Sequence, residues 1–208
     1  MYLPKHFRVG EAETEELLSA IRVADLVTAS ADGLFATYLP LIYDADPGGG
    51  SASLLGHVAR KNDHWRLAPI GESVVIAHGP DAYITPSWYA SKREHGRVVP
   101  TWNYTTVHIY GELVVHDDVV WLERLVRRLT ARQEGERPDP WSVDDAPREY
   151  TESQLRAIVG VQLRISRIEA KAKLGQNRSA ADIDGVIEGL RSEGDQALAE
   201  ATSRARRN

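Results

Sequence analysis

The stretch DLVTASADGLFATYLPLIY, residues 25–43, places two β-rich runs, Asp25–Ala29 and Leu34–Tyr43, on either side of Ser30-Ala31-Asp32-Gly33. Asp-Gly supplies the backbone angles that a tight hairpin needs, so the two runs are predicted to pair antiparallel. Outward from this hairpin, further strands are expected at Ala52–Val58, Ser73–His78, Tyr83–Thr85 and Thr105–His116. A last strand is expected over Ile158–Ala170, where Val161, Leu163, Ile165 and Ile168 mark one apolar set. Pro47-Gly48-Gly49-Gly50-Ser51 reads as a loop, and Trp141–Tyr150 as a Pro-bounded one.

Helices flank these strands. Glu11–Val23 opens acidic, which suits the positive end of a helix dipole, and then gathers Leu17, Leu18, Ile21 and Val23 near one face. Asp117–Glu134 carries the stripe Val120, Leu122, Leu125, Val126 and Leu129, with acids first and arginines later. From Ala180 onward the composition is helical, although Gly185, Gly189 and Gly194 weaken it. Six or so β segments with peripheral helices predict a mainly β, α+β chain closed as an antiparallel barrel. The expected organisation is a barrel domain over residues 1–178 with a C-terminal helical extension of the same domain over 179–208.

Composition narrows the function. Hydrophobic and charged contents of 42% and 26% are globular values, so disorder throughout is excluded. A net charge of -5 argues against phosphate-backbone binding, leaving only the short basic tail Arg204, Arg206 and Arg207, which solvent satisfies equally well. The chain contains no cysteine, which removes disulfides, thiolate metal sites and cysteine nucleophiles. No leader pattern opens the sequence and no run approaches the roughly 20 apolar residues of a membrane helix, so a cytoplasmic protein is expected.

Chemistry-bearing residues concentrate in three places. AYITPSWYASKREHGRVVPTWNY, residues 82–104, repeats a Pro–hydroxyl–Trp pattern at Pro86-Ser87-Trp88-Tyr89 and Pro100-Thr101-Trp102-Asn103-Tyr104. Rings with polar handles beside short hydrogen-bonding groups suit a flat, anionic ligand, but two strands packing a core explain the stretch as well. GHVARKNDHW, residues 56–65, ends a strand with Arg60, Lys61 and Asn62. A guanidinium fork and an ammonium there suit a phosphate, against the alternative of an ordinary charged loop. KAKLGQNR, residues 171–178, adds Lys173, Gln176, Asn177 and Arg178 around a turn glycine. No nucleophile elbow, P-loop or dinucleotide fingerprint is present, and His57 and His64 have no third ligand at a metal-site spacing. No catalytic residue can be assigned, and no metal is expected.

Taken with MYLPKHF at 1–7, these motifs in this order resemble the PaiB-like family of FMN-binding proteins, often labelled negative transcriptional regulators. Asp63, Thr85 and Gly175 stand where the family usually has Pro, Ser and Ser. The resemblance implies a split β-barrel, like those of pyridoxamine-phosphate oxidases and flavin reductases, forming a homodimer with FMN at the interface. It assigns Arg60, Lys61 and Asn62 to the phosphate, helped by Thr85 and Ser87. Trp88, Tyr89, Trp102, Asn103 and Tyr104 would line the ring and ribitol. Lys173, Gln176, Asn177 and Arg178 would close the site from the partner chain, with His6 and His57 as lesser candidates. The implied role is redox or flavin sensing. A repressor with FMN as structural ligand is the alternative, DNA being unsupported by net charge. A haem-binding barrel using His6, His57, His64 or His108 ranks third.

Overall fold

The computed structural model describes residues 1–45 and 51–206. The Pro47–Gly50 part of the expected loop and Arg207 lie outside the described residues. Six strands are present: β1 (Val23–Ser30), β2 (Gly33–Asp44), β3 (Ser53–Ala59), β4 (Ser73–Ile84), β5 (Thr101–His116) and β6 (Ile158–Lys173). Their order β1-β2-β3-β6-β5-β4 closes into a barrel, with β4 returning antiparallel onto β1 through Asp25↔Ile76. The fold is the expected mainly β split barrel with peripheral helices.

The hairpin forms where Asp-Gly predicts it. Ser30 pairs with Gly33, whose φ of 112° lies in the region glycine tolerates, and the Ser30 hydroxyl donates to the Gly33 carbonyl at 3.2 Å. The helices are α1 (Glu11–Ala20), α2 (Ala90–Glu94), α3 (Val119–Glu134), α4 (Arg148–Arg156), α5 (Ala180–Ser192) and α6 (Gln196–Ala205). α3 starts where the Asp118 side chain caps the Trp121 amide at 2.8 Å. α4 takes the last three residues of the expected loop, beginning directly after Pro147.

The chain divides into two compact units. One holds Glu15–Ala77 and His108–Ile168. Its core joins Leu26, Leu39, Leu54, Val75 and Val159, and α3 lays Leu125 and Leu129 on Ile42 and Leu55. The other holds Met1–Thr14, His78–Val107 and the chain from Glu169 onward. It buries Phe7, Ile84, Val107, Leu174, Ile183, Leu190 and Leu198.

Candidate functional site

The second of these units collects most of the residues that sequence singled out. β5 alternates its side chains, so Trp102 and Tyr104 share one face while Asn103 turns inward and is buried. On the neighbouring strand β6, the same period puts Lys171 and Lys173 on one face. The two faces meet. Lys171 Nζ lies 5.3 Å from the Tyr104 ring centre and 5.8 Å from that of Tyr2, and Lys173 Nζ lies 5.9 Å from Tyr104. Lys173 also donates to the Thr101 hydroxyl and the Trp102 carbonyl. Trp102 remains 55% exposed, with Tyr83 edge-on at 6.2 Å and Tyr2 projecting beside Lys171.

Beyond β6 the chain turns through Gly175, at φ 84°, where the Arg178 amide bonds the Gly175 carbonyl at 2.8 Å. This turn brings the Arg178 guanidinium 4.6 Å over the Tyr89 ring. Burial raises the Tyr89 pKa, an effect that Arg178 opposes and Asp182 reinforces. Gln176 folds back, accepting from the Leu174 amide and donating to the Ala172 carbonyl, so it braces the turn; Asn177 is exposed. The Lys173 ammonium is pushed below its usual range by burial first and then by Lys171 and Arg178. Lys171 and Lys173 thus gather at Tyr104, with Arg178 near enough to act on both Lys173 and Asp182.

Thr85 and Ser87 bound the short helical turn that precedes Tyr89. The Thr85 hydroxyl caps the Ser87 amide at 3.2 Å, and the Ser87 hydroxyl receives Lys92 Nζ at 3.1 Å. Trp88 points elsewhere. Its indole lies on the bare backbone of α5, where a Cβ on Gly189 would stand 2.2 Å from the ring. α5 is tied down by Asp182, which accepts the Ser91 amide at 2.9 Å and the Ser91 hydroxyl at 2.8 Å. Sequence reasoning counted Lys171 among the cations after the last strand without assigning it to the site, gave Tyr2 only a packing role, and passed over Asp182.

The other unit holds His57, Arg60, Lys61 and Asn62. Arg60 is committed to the protein: it grips both Asp117 oxygens and donates to the Arg156 and Ile158 carbonyls. Its hydrogen bond to Asp117 raises its own pKa and lowers that of the carboxylate. Asn62 caps His64 at 2.9 Å and donates to Thr37 at 3.2 Å. Lys61 is exposed. His64 is buried with Thr37 on Nδ1 and Thr28 on Nε2, each at 2.8 Å, so neither ring nitrogen is available to a haem iron. No group of metal-ligating side chains occurs among the described residues. No described helix is long and apolar enough to cross a membrane.

A barrel of this order defines a split-barrel protein. The chain belongs to the family described as "Putative FMN-binding domain", which it matches over residues 1–167. FMN is the cofactor that this membership assigns to it. It is 36% identical over 197 residues to the protease synthase and sporulation protein PAI 2 of Bacillus subtilis, covering 93% of this chain and 90% of that protein. Among solved structures it is similar in fold to the flavocytochrome Anf3 of Azotobacter vinelandii, with TM-score 0.56 and 14% identity, over 81% of this chain and 69% of that one. An FAD- and haem-binding protein of Mycobacterium smegmatis matches with TM-score 0.53 and 16% identity, over 80% and 72% of the two chains.

Proposed function

We propose that this chain is a homodimeric flavin-dependent redox protein that binds FMN against the face formed by Trp102, Tyr104, Lys171, Lys173 and Arg178. What carries it is the gathering of Lys171 and Lys173 at the Tyr104 ring and of Arg178 over Tyr89, where burial first and then repulsion from Lys171 and Arg178 lower the Lys173 pKa. A phosphate or a reduced, anionic ring relieves that repulsion, whereas a neutral ligand does not. The exposed rings of Trp102, Tyr83 and Tyr2 give a planar ligand apolar surface, and a second copy covering them would remove that surface from water.

FMN, when bound, supplies hydride and single-electron transfer. The residues of this chain supply position and charge. Lys173 is held by Thr101 and the Trp102 carbonyl, so its ammonium is fixed before a ligand arrives. Arg178 is braced on Tyr89, and the Gln176 turn fixes its approach. Thr85 and Ser87 add hydroxyls at the rim, and the Asn103 amide lies beside Gly175 beneath it.

Titration of the protein with FMN, followed by absorbance and flavin fluorescence, tests this assignment. Lys173→Ala and Trp102→Ala are each expected to raise the dissociation constant about tenfold, since one charge-assisted bond or one stacked ring is worth about 1.5 kcal/mol. Unchanged affinity in both variants would remove FMN from this face. Reduction of the bound flavin by a nicotinamide donor supports the redox role. The repressor alternative, carried by the family label, requires a salt-sensitive, sequence-dependent gel shift.

A further inference from the structure

Trp121, Arg124, Leu125 and Arg128 follow one another at helical spacing, so they occupy one face of α3. With Asp44, Leu55 and Gln162 they line a groove of about 550 Å³. Its floor is the apolar packing of Leu125 on Leu55. Trp121 is fixed at one side. His116 stacks on it at 4.0 Å and 8°, and bare Gly160 admits its ring, where a Cβ would stand 2.2 Å away. Gln162 is spent, accepting from His116 Nε2 at 2.8 Å and donating to the Ser53 hydroxyl at 2.9 Å.

The arginines of α3 differ in what they hold. Arg127 binds Glu123 and Asp144, Arg132 donates to the Ser19 and Leu41 carbonyls, and Arg128 reaches Asp44 at 2.8 Å. Arg124 has no carboxylate partner among the described residues, and its Nε alone engages, 3.4 Å from the Val120 carbonyl. It stands one turn from Arg128, and like charges at that spacing repel. Two guanidiniums against the one carboxylate of Asp44 leave the lining with a single surplus positive charge. One negative charge cancels it, which favours a carboxylate over a doubly charged phosphate. A guanidinium grips a carboxylate through two parallel bonds and stacks on flat rings, and Trp121 adds ring surface of its own.

We propose that this groove binds a small aromatic monocarboxylate, its carboxylate on Arg124 and Arg128 and its ring against Trp121. It is a second ligand site, built from residues other than those of the FMN face.

Calorimetric titration of the full chain with 2-naphthoate, 2-naphthol and 2-naphthyl phosphate tests it. The wild-type chain is expected to take 2-naphthoate about tenfold more tightly than 2-naphthol, the worth of one charge-assisted hydrogen bond, and more tightly than the phosphate. Arg124→Gln is expected to remove the preference over 2-naphthol and to leave FMN affinity unchanged, with circular dichroism confirming the fold. Asp44→Asn is expected to act in the opposite direction, tightening 2-naphthoate about threefold, a gain that misfolding does not produce. No binding of 2-naphthoate, a preference that survives Arg124→Gln, no gain in Asp44→Asn, or tighter binding of the phosphate would each overturn the proposal. So would loss of 2-naphthoate binding in Lys173→Ala, because the probe would then sit on the FMN face.

Discussion

Gly189 lies against the indole of Trp88 so closely that a Cβ at that position would stand 2.2 Å from Trp88 Cδ2. Gly185, one turn earlier on α5, meets the Trp88 carbonyl at 2.0 Å in the same sense. On helix propensity alone, Gly189→Ala should stabilise α5 by about 1 kcal/mol. The overlap falls on a ring and a backbone rather than a flexible tip, so overpacking prevails and a net loss of about 1–3 kcal/mol is expected. A urea midpoint unchanged or raised in Gly189→Ala would show that Trp88 is not seated there.

Asp182 is buried and its pKa is lowered: burial alone would raise it, but hydrogen bonds from Ser91 and then Ser179, with the nearby charge of Arg178, outweigh that cost. Its folded pKa lies below its unfolded one, so its contribution is present above about pH 4 and fades as pH falls through the folded value. Asp182→Ala should destabilise the chain by about 2 kcal/mol at pH 7 and by much less at pH 2. Equal losses at the two pH values, measured by denaturant unfolding, would contradict this.

Lys173 works in the opposite direction. Its ammonium is disfavoured in the folded chain by burial, Lys171 and Arg178, so stability gains as pH rises from its lowered pKa toward the ordinary lysine value near 10.5. Binding an anion restores the charged form. FMN binding at alkaline pH should therefore be accompanied by proton uptake, seen as a dependence of the calorimetric enthalpy on the buffer's ionisation heat. In Lys173→Met that dependence should disappear.

His57 and His64 are both held below the usual imidazole range by burial. The unfolded chain then binds more protons than the folded one as pH drops below about 6.5, and stability falls with it. The thermal midpoint should decline between pH 7 and pH 5. His57→Leu should shallow that slope without removing it, because His64 stays locked between Thr28 and Thr37. A slope identical to wild type would mean that His57 does not titrate in this window.

Local rules made the barrel readable and left the site half hidden. The hairpin at Asp32-Gly33 and the stripe of α3 depend on neighbours a few residues apart, which sequence displays. β4 was legible only as two pieces, because Gly79 and Pro80 look like a break. Gly79 is instead a close approach, its absent Cβ lying 3.0 Å from Thr105. α4 was hidden by Pro147, which reads as loop but sits at the helix start, where its missing amide is harmless. Arg60 shows the limit most clearly. Its partners are Asp117 and carbonyls at positions 156 and 158, and no spacing rule connects residues so far apart.

The match to the family model ends at residue 167, whereas β6 runs on to Lys173 and the cations and α5 follow. A fragment cut at residue 167 would end inside a strand. It would also discard Lys171, Lys173 and Arg178 together with the bare helix surface on which Trp88 rests. A ribosome paused at that point would hold a chain still lacking these three cations and the last wall of its apolar interior.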